Sequence, residues 1–297
     1  MYLDLAASLS GGVMAASRLD GEVSVWTLSN LQHVATLQTT LDPLGPRLAV
    51  VGLDGSVVVI TGSWERREVA AYDAGLGSRR WVRPRLPRIQ LVAPARDGSA
   101  VAVAFDRGPI QILDVSTGQR IAEIPGGRAF WQSPLGSYGA VRLASRVAGV
   151  DVTDWHITWT ARVAGFASLA AAFSPGGVLI SDSADADGPE PAELSAYSLS
   201  GTRLWTYRGS HETNVPWVGW DAEADHWLGV EHNVNRSHSD TLVRWTDTGE
   251  VLDRTRLSTV EPYVFADEGR LLATSTGQLF DTRTVREVGK LPLLDQT

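Results

Sequence analysis

Short runs in which apolar and polar residues alternate, broken by Gly, Pro, Asn or Asp, fill the chain from end to end. Alternation of period two marks a half-buried strand, and no stretch keeps the 3.6-residue period of an amphipathic helix. The clearest run is Ala71-Tyr72-Asp73, a tight turn through Gly77, and a return through Arg79, Arg80 and Trp81. Its core recurs as Val25-Trp26-Thr27, Ile112-Leu113-Asp114, Gly149-Val150-Asp151, Ala196-Tyr197-Ser198, Arg244-Trp245-Thr246 and Leu279-Phe280-Asp281. The central residues of these seven copies lie 35 to 48 residues apart, with a mean near 42.

A repeat of that length without a helical pattern implies thin sheets stacked side by side, each unable to bury its own faces alone. The expected fold is all-β: a seven-bladed β-propeller with four antiparallel strands per blade, labelled a to d in chain order. Seven units consume the 297 residues as one domain, with blades at about 1–40, 41–87, 88–126, 127–164, 165–209, 210–259 and 260–297. In the second unit the strands fall at 47–52, 56–62, 68–73 and 79–85, and in the sixth at 217–220, 226–232, 241–245 and 251–255. Proline gives an independent check, because it cannot donate to a ladder and is confined to edge strands, strand starts and bulges. No proline lies in a strand b, and strand c has only Pro109, at its first residue. Pro94 and Pro216 fall in or at the ends of strands a, and Pro84 and Pro125 in or just after strands d, the two edges of a blade.

The net charge of −8 argues against a nucleic-acid partner, since neutralising phosphates takes a basic face. Zero Cys excludes disulfides, cysteinyl zinc sites and a thiol nucleophile. Residues 1–21 lack a basic segment followed by a long apolar core, and no run of about 18 apolar residues occurs, so no membrane span and a cytoplasmic location are expected.

Ala71, Asp73, Gly77 and Trp81 match the A-x-D-x-x-x-G-x-x-x-W docking pattern of quinoprotein-like propellers, which the chain resembles throughout. Ile112, Asp114, Thr117 and Gly118 match its first part, and Ala196, Gly201 and Trp205 give a version one residue shorter. The resemblance implies that Trp81 and Trp205 lie between blades and lock them. Val25-Trp26-Thr27 and Arg244-Trp245-Thr246 are similar to strand c of WD repeats, without the Gly-His and Trp-Asp pairs of that motif. Together these features resemble a divergent seven-bladed WD40/quinoprotein-like propeller. Quinoprotein dehydrogenases have eight blades and are about twice as long, so their cofactor PQQ is not carried over, and no cofactor is expected.

In this architecture the d–a and b–c connections emerge on one face, by analogy the ligand face of propellers. Four of the six histidines, His211, His226, His232 and His238, lie in the sixth unit. His226 and His232 share one face of strand b as packed residues. His211, His238 and an acid, Glu212 or Asp240, with Arg236 nearby, form a candidate ligand or divalent-cation site, though the spacing matches no metal motif. The longest insertion, 182–193, carries Asp185 and Asp187 in a run that resembles the start of a calcium loop. The downstream Glu is missing, and Pro189 and Pro191 suit a solvated acidic loop. Trp64 and Trp131 are placed in or beside ligand-face loops, where they are candidates for stacking on a ligand. Arg79, Arg80, Arg83, Arg85 and Arg88 crowd the outer strand of the second unit, a device against edge-to-edge pairing or a surface for an acidic partner.

No nucleophile triad, phosphate loop or closely paired carboxylates appear at diagnostic spacing. The reading that follows is a non-catalytic scaffold presenting loops to a protein partner. The alternatives are a metal-assisted hydrolase or lyase, and a small-molecule or glycan binder.

Overall fold

The computed structural model describes residues 2–7, 12–18, 22–38, 48–51, 57–61, 68–95, 98–133, 137–163, 167–183, 193–209, 213–233, 240–257, 263–266, 269–274 and 276–290. They form seven four-stranded antiparallel sheets and no α-helix. Blade 1 is β1 (Tyr2–Ala7), β2 (Val13–Arg18), β3 (Glu22–Thr27) and β4 (His33–Gln38). Blade 2 is β5 (Leu48–Val51), β6 (Val57–Thr61), β7 (Val69–Asp73) and β8 (Arg79–Arg83). Blade 3 is β9 (Ile89–Ala95), β10 (Ala100–Phe105), β11 (Ile110–Asp114) and β12 (Arg120–Ile124). Blade 4 is β13 (Ala129–Gln132), β14 (Tyr138–Arg142), β15 (Arg146–Asp151) and β16 (His156–Arg162). Blade 5 is β17 (Ala167–Ser174), β18 (Gly177–Ser183), β19 (Glu193–Ser198) and β20 (Arg203–Arg208). Blade 6 is β21 (Thr213–Asp221), β22 (His226–Asn233), β23 (Thr241–Trp245) and β24 (Val251–Arg256). Blade 7 is β25 (Tyr263–Ala266), β26 (Leu271–Thr274), β27 (Gln278–Asp281) and β28 (Glu287–Lys290). The chain is a seven-bladed β-propeller, each blade one continuous stretch of sequence.

Compact packing divides the chain into two units, Met1–Pro125 with Glu261–Thr297, and Gly126–Val260. In the first, β1 packs on β25 and β5, and β5 on β9; in the second, β17 packs on β13 and β21. The core lies between consecutive sheets. Val59, Val69 and Ala71 of blade 2 meet Val101, Val103 and Leu113 of blade 3, and Leu179 and Leu194 of blade 5 meet Val243 and Trp245 of blade 6. Covered on both faces, the middle strands lose the two-residue alternation: all six residues of Ala100–Phe105 are buried. The outer strands keep it, as in β20 and β24.

The turns that follow strand c are related in all seven blades, and in blades 2, 3, 4 and 7 they share one capping residue. Strand c ends on Asp73, Asp114, Asp151 or Asp281, whose Oδ1 accepts backbone N–H groups two or three residues on, for example Leu76 at 2.9 Å and Thr117 at 2.7 Å. In blades 5 and 6 the turn is one residue shorter, and the Ser198 and Thr246 hydroxyls accept instead from the backbone N–H four residues on. Each turn then needs one residue in the left-handed region: Gly77, Gly118, Gly201 and Gly249, but also Leu31, Trp155 and Val285. Past that residue every c–d ladder slips by one, leaving Val34, Arg80, Ile121, Thr158, Leu204, Leu252 and Val288 unpaired as bulges.

In blades 2, 4 and 5 the residue after the bulge is a tryptophan that docks on the next blade, and in six blades the size of this residue is balanced across the sheet. Trp81, Trp159 and Trp205 sit opposite the small residues Ala71, Gly149 and Ala196. Ala35, Ala122 and Gly289 sit opposite Val25, Ile112 and Leu279. Each tryptophan donates its indole N–H to the next blade's turn, to Val115 O at 2.6 Å, Leu199 O at 3.0 Å and Asp247 O at 2.6 Å. The ring covers that turn's glycine so closely that a Cβ on Gly118, Gly201 or Gly249 would lie 2.6–2.7 Å from it. Between blades 7 and 1 the roles invert: Gly289 is the hole, and Leu31, at the turn position, fills it, its Cδ1 2.9 Å from where a Gly289 Cβ would stand.

Candidate functional site

The b–c hairpins of blades 4, 5 and 6 end in polar residues. Blade 4 closes tightly, Leu143 donating to Arg146 O at 2.9 Å. In blade 5 the last residue pair of the ladder on either side of the insertion is Asp182 opposite Glu193, two carboxylates facing across neighbouring strands. Directly opposed like charges destabilise a sheet unless each is neutralised. Here each is: Arg142 of blade 4 approaches Asp182 Oδ1 at 3.5 Å, and Arg208 donates from Nε to Glu193 Oε2 at 3.1 Å, with Ser195 Oγ donating to Oε1 at 3.0 Å. Asp182, Glu193 and Arg142 are all buried. Burial lowers the Arg142 pKa, with the Asp182 carboxylate acting against it.

Blade 6 supplies a second pair of acids. Glu231, buried in β22, accepts from Tyr207 Oη of blade 5 at 2.7 Å and from Arg254 Nη1 at 2.5 Å; Arg254 also donates to the Tyr207 oxygen. Burial, and then the Glu231 carboxylate, push the Tyr207 hydroxyl above its ordinary pKa. Burial works against the Arg254 charge, but Tyr207 and Glu231 outweigh it and raise that pKa. Asp240 is buried and bonded to His232 Nδ1 at 2.8 Å, which joins the two ends of the 234–239 connection. Asp182, Glu193, Glu231 and Asp240, at the b–c ends of blades 5 and 6, thus form a buried acidic floor in which every carboxylate has a named hydrogen-bond or ion-pair partner. Its chemistry is that of fixed charge and fixed geometry, suited to holding connections in place.

The expected site residues map onto this floor unevenly. Trp64, Asp185, Asp187, His211, Glu212, Arg236 and His238 lie outside the described residues. Asp240 is described, and its partner is His232. Trp131 stands in strand β13, half-buried against the Ala140, Phe173 and Tyr197 cluster, and so belongs to packing between blades 4 and 5. Trp81 and Trp205 lie between blades, as described above. Two expectations need correction. Asp182 and Glu193, expected in a solvated loop, are buried strand residues, because the ladder between β18 and β19 reaches this pair and arginines from neighbouring strands cap it. They also supply the facing carboxylates that linear spacing hid, since ten intervening residues separate them. Trp159 escaped the docking pattern because Trp155 stands where Gly is expected; the spacing from Gly149 to Trp159 equals that from Ala71 to Trp81. Among the described residues no three His, Cys, Asp or Glu side chains group in a way that could hold a metal ion.

These repeats, docking turns and inter-blade tryptophans define a seven-bladed β-propeller, whose repeats resemble those of WD40 and quinoprotein-like propellers. No family model matches the sequence, and no curated protein matches it. Solved structures do match in fold. BamB from Moraxella catarrhalis aligns with a TM-score of 0.60 at 12% identity, over 95% of this chain and 80% of that one. The β-propeller domain of Cps50 (Swd1) from Myceliophteria thermophila aligns at 0.70 and 12%, over 96% and 94%. A chain of the mitotic checkpoint complex aligns at 0.72 and 14%, over 91% and 82%. At these identities the likeness concerns the fold.

Proposed function

We propose that this propeller is a protein-interaction scaffold, and that it presents the connections 184–192 and 234–239 of blades 5 and 6 to its partner. The observation that carries this reading is the buried acidic floor: ion pairs and hydrogen bonds of buried carboxylates, drawn from three consecutive blades, hold both ends of these connections, and burying such groups suits precise placement of what they carry. Long connections on a rigid frame are where propellers carry recognition. Structural likeness to a chain of the mitotic checkpoint complex, an assembly of proteins, agrees with a role of this general kind.

The test is to replace 184–191 by Asn-Gly, a two-residue turn suited to joining the ladder that pairs Asp182 with Glu193. The expected result is an unchanged melting temperature and loss of the partner recovered with the native chain. Full recovery of that partner by the shortened chain would overturn the assignment of this connection.

A further inference from the structure

The outer strand of blade 2, with the stretch that follows it, carries the densest arginine run of the seven outer strands. We infer that β8 is a second interaction surface, which takes up an extended acidic segment of a protein partner as an added strand. β8 ends its sheet in the order β5-β6-β7-β8, and among the described residues no strand pairs with its outer edge. Residues 79–88 hold Arg79, Arg80, Arg83, Arg85 and Arg88 and no acid, in a chain whose net charge is −8. Arg79, Arg80, Val82, Arg85 and Arg88 are exposed. Of the other outer strands, β12, β24 and β28 carry both signs, β12 pairing Arg120 with Glu123 at 3.0 Å, while β16 holds one arginine and β20 two, neither followed by a further arginine run like the one after β8.

Protection of an edge does not require this arrangement. The bulge present in all seven outer strands already disrupts the ladder, and one or two charges suffice beside it. A single-sign strand does something more selective: it repels a second copy of itself and attracts a strand of opposite charge. Two of its arginines are already engaged, Arg80 with Asp73 Oδ2 at 3.0 Å and Arg83 with Gly118 O at 3.0 Å, which orders the strand. Beyond it, buried Leu86 anchors the stretch between Pro84 and Pro87, and Arg85 lies in the left-handed region at φ 60°. That conformation is uncommon outside glycine, and here it carries an exposed charge past the strand's end. Main-chain bonds to β8 would supply affinity, and carboxylates at alternate positions would meet Arg79 and the arginines beyond the strand.

The test uses the full chain and a fluorescein-labelled peptide of alternating Glu and Thr, about ten residues long, enough to pair along β8. Fluorescence anisotropy should show saturable binding that weakens with salt. Arg79→Glu with Arg85→Glu should weaken it at least tenfold at an unchanged melting temperature, while Arg79→Lys with Arg85→Lys retains most of it. The same peptide N-methylated at alternate residues should bind at least tenfold more weakly, because it cannot complete the ladder. The inference is overturned if the Glu variant binds as the native chain does, if the methylated peptide binds equally well, or if an oligothymidylate binds as tightly as the peptide. The last result would make the surface a nucleic-acid site instead. Blades 5 and 6 are untouched in every arm, so failure here leaves the proposed loop surface standing.

Discussion

Gly118 and Gly126 share a backbone conformation, φ +70° and +68°, yet differ in surroundings: a Cβ on Gly118 would lie 2.7 Å from the Trp81 ring, and one on Gly126 would meet nothing within 4 Å. Alanine at either position therefore incurs the left-handed cost of an L-residue, about 1–2 kcal/mol. Only Gly118→Ala adds the overlap with an indole held by its bond to Val115 O, an overpacking term of about 1–3 kcal/mol. That term depends on the ring, so it should disappear in a Trp81→Ala background. Leu31, Trp155 and Val285 show that this turn position accepts side chains in other blades, which leaves the tryptophan as what demands glycine here. Urea denaturation of wild type, both single variants, the double variant and Gly126→Ala gives the numbers. Gly118→Ala should exceed Gly126→Ala by about 1–3 kcal/mol, and the Trp81–Gly118 cycle should show a coupling of the same size. Equal costs for the two glycines, or additivity within about 0.5 kcal/mol, would refute the docking argument.

Further outcomes follow from the same geometry. Asp182→Ala leaves Arg142 buried without its carboxylate and should cost about 3–5 kcal/mol in urea denaturation, whereas Arg142→Met with Asp182→Leu should recover most of that loss. Asp73 is held below its ordinary pKa by Arg80 first and then by the Leu76 amide, and Asp281 is lowered by its bonds to Thr284 and Arg283 in spite of burial. A carboxyl lowered in the folded state contributes stability above its unfolded pKa, near 3.9, and loses it as pH falls through the folded value. The melting-temperature gap between wild type and Asp73→Asn should therefore be full at neutral pH and close below about pH 4. A gap that stays constant down to pH 2 would remove Asp73 from the turn's energetics. Tyr207→Phe deletes the hydroxyl between Glu231 and Arg254 and should cost about 1–2 kcal/mol, since a bond to a charged group is lost while the ring stays against Trp245; no change in melting temperature would place the network outside the fold's stability.

Much of the fold was legible because its signal is local. The alternation, the step near 42 residues and the confinement of proline to edges each report strand and turn geometry within a single blade, and the strands of blades 2 and 6 lie where the pattern places them to within a few residues. β21 begins four residues earlier than expected because a bulge between Asn214 and Trp217 accommodates Pro216 and masks the alternation. The candidate site was less legible because its contacts are not local. Asp182 finds Arg142 forty residues away in another blade, and Tyr207, Glu231 and Arg254 assemble from two. A spacing rule cannot see carboxylates that face each other only once a hairpin has closed around an insertion. Trp159 was hidden differently: strict insistence on glycine at the turn missed that Trp155 adopts the same conformation at φ 63°.

Site-specific photo-crosslinking tests the central claim most directly. A benzoylphenylalanine at position 187 or 238, in the connections 184–192 and 234–239, should trap one and the same protein in the source cell. The same group at Leu76, an exposed residue in the c–d turn of blade 2, should not. Adducts of equal yield and composition from all three positions, or none from 187 and 238 with a chain that folds normally, would contradict the scaffold reading and move the function elsewhere on the propeller.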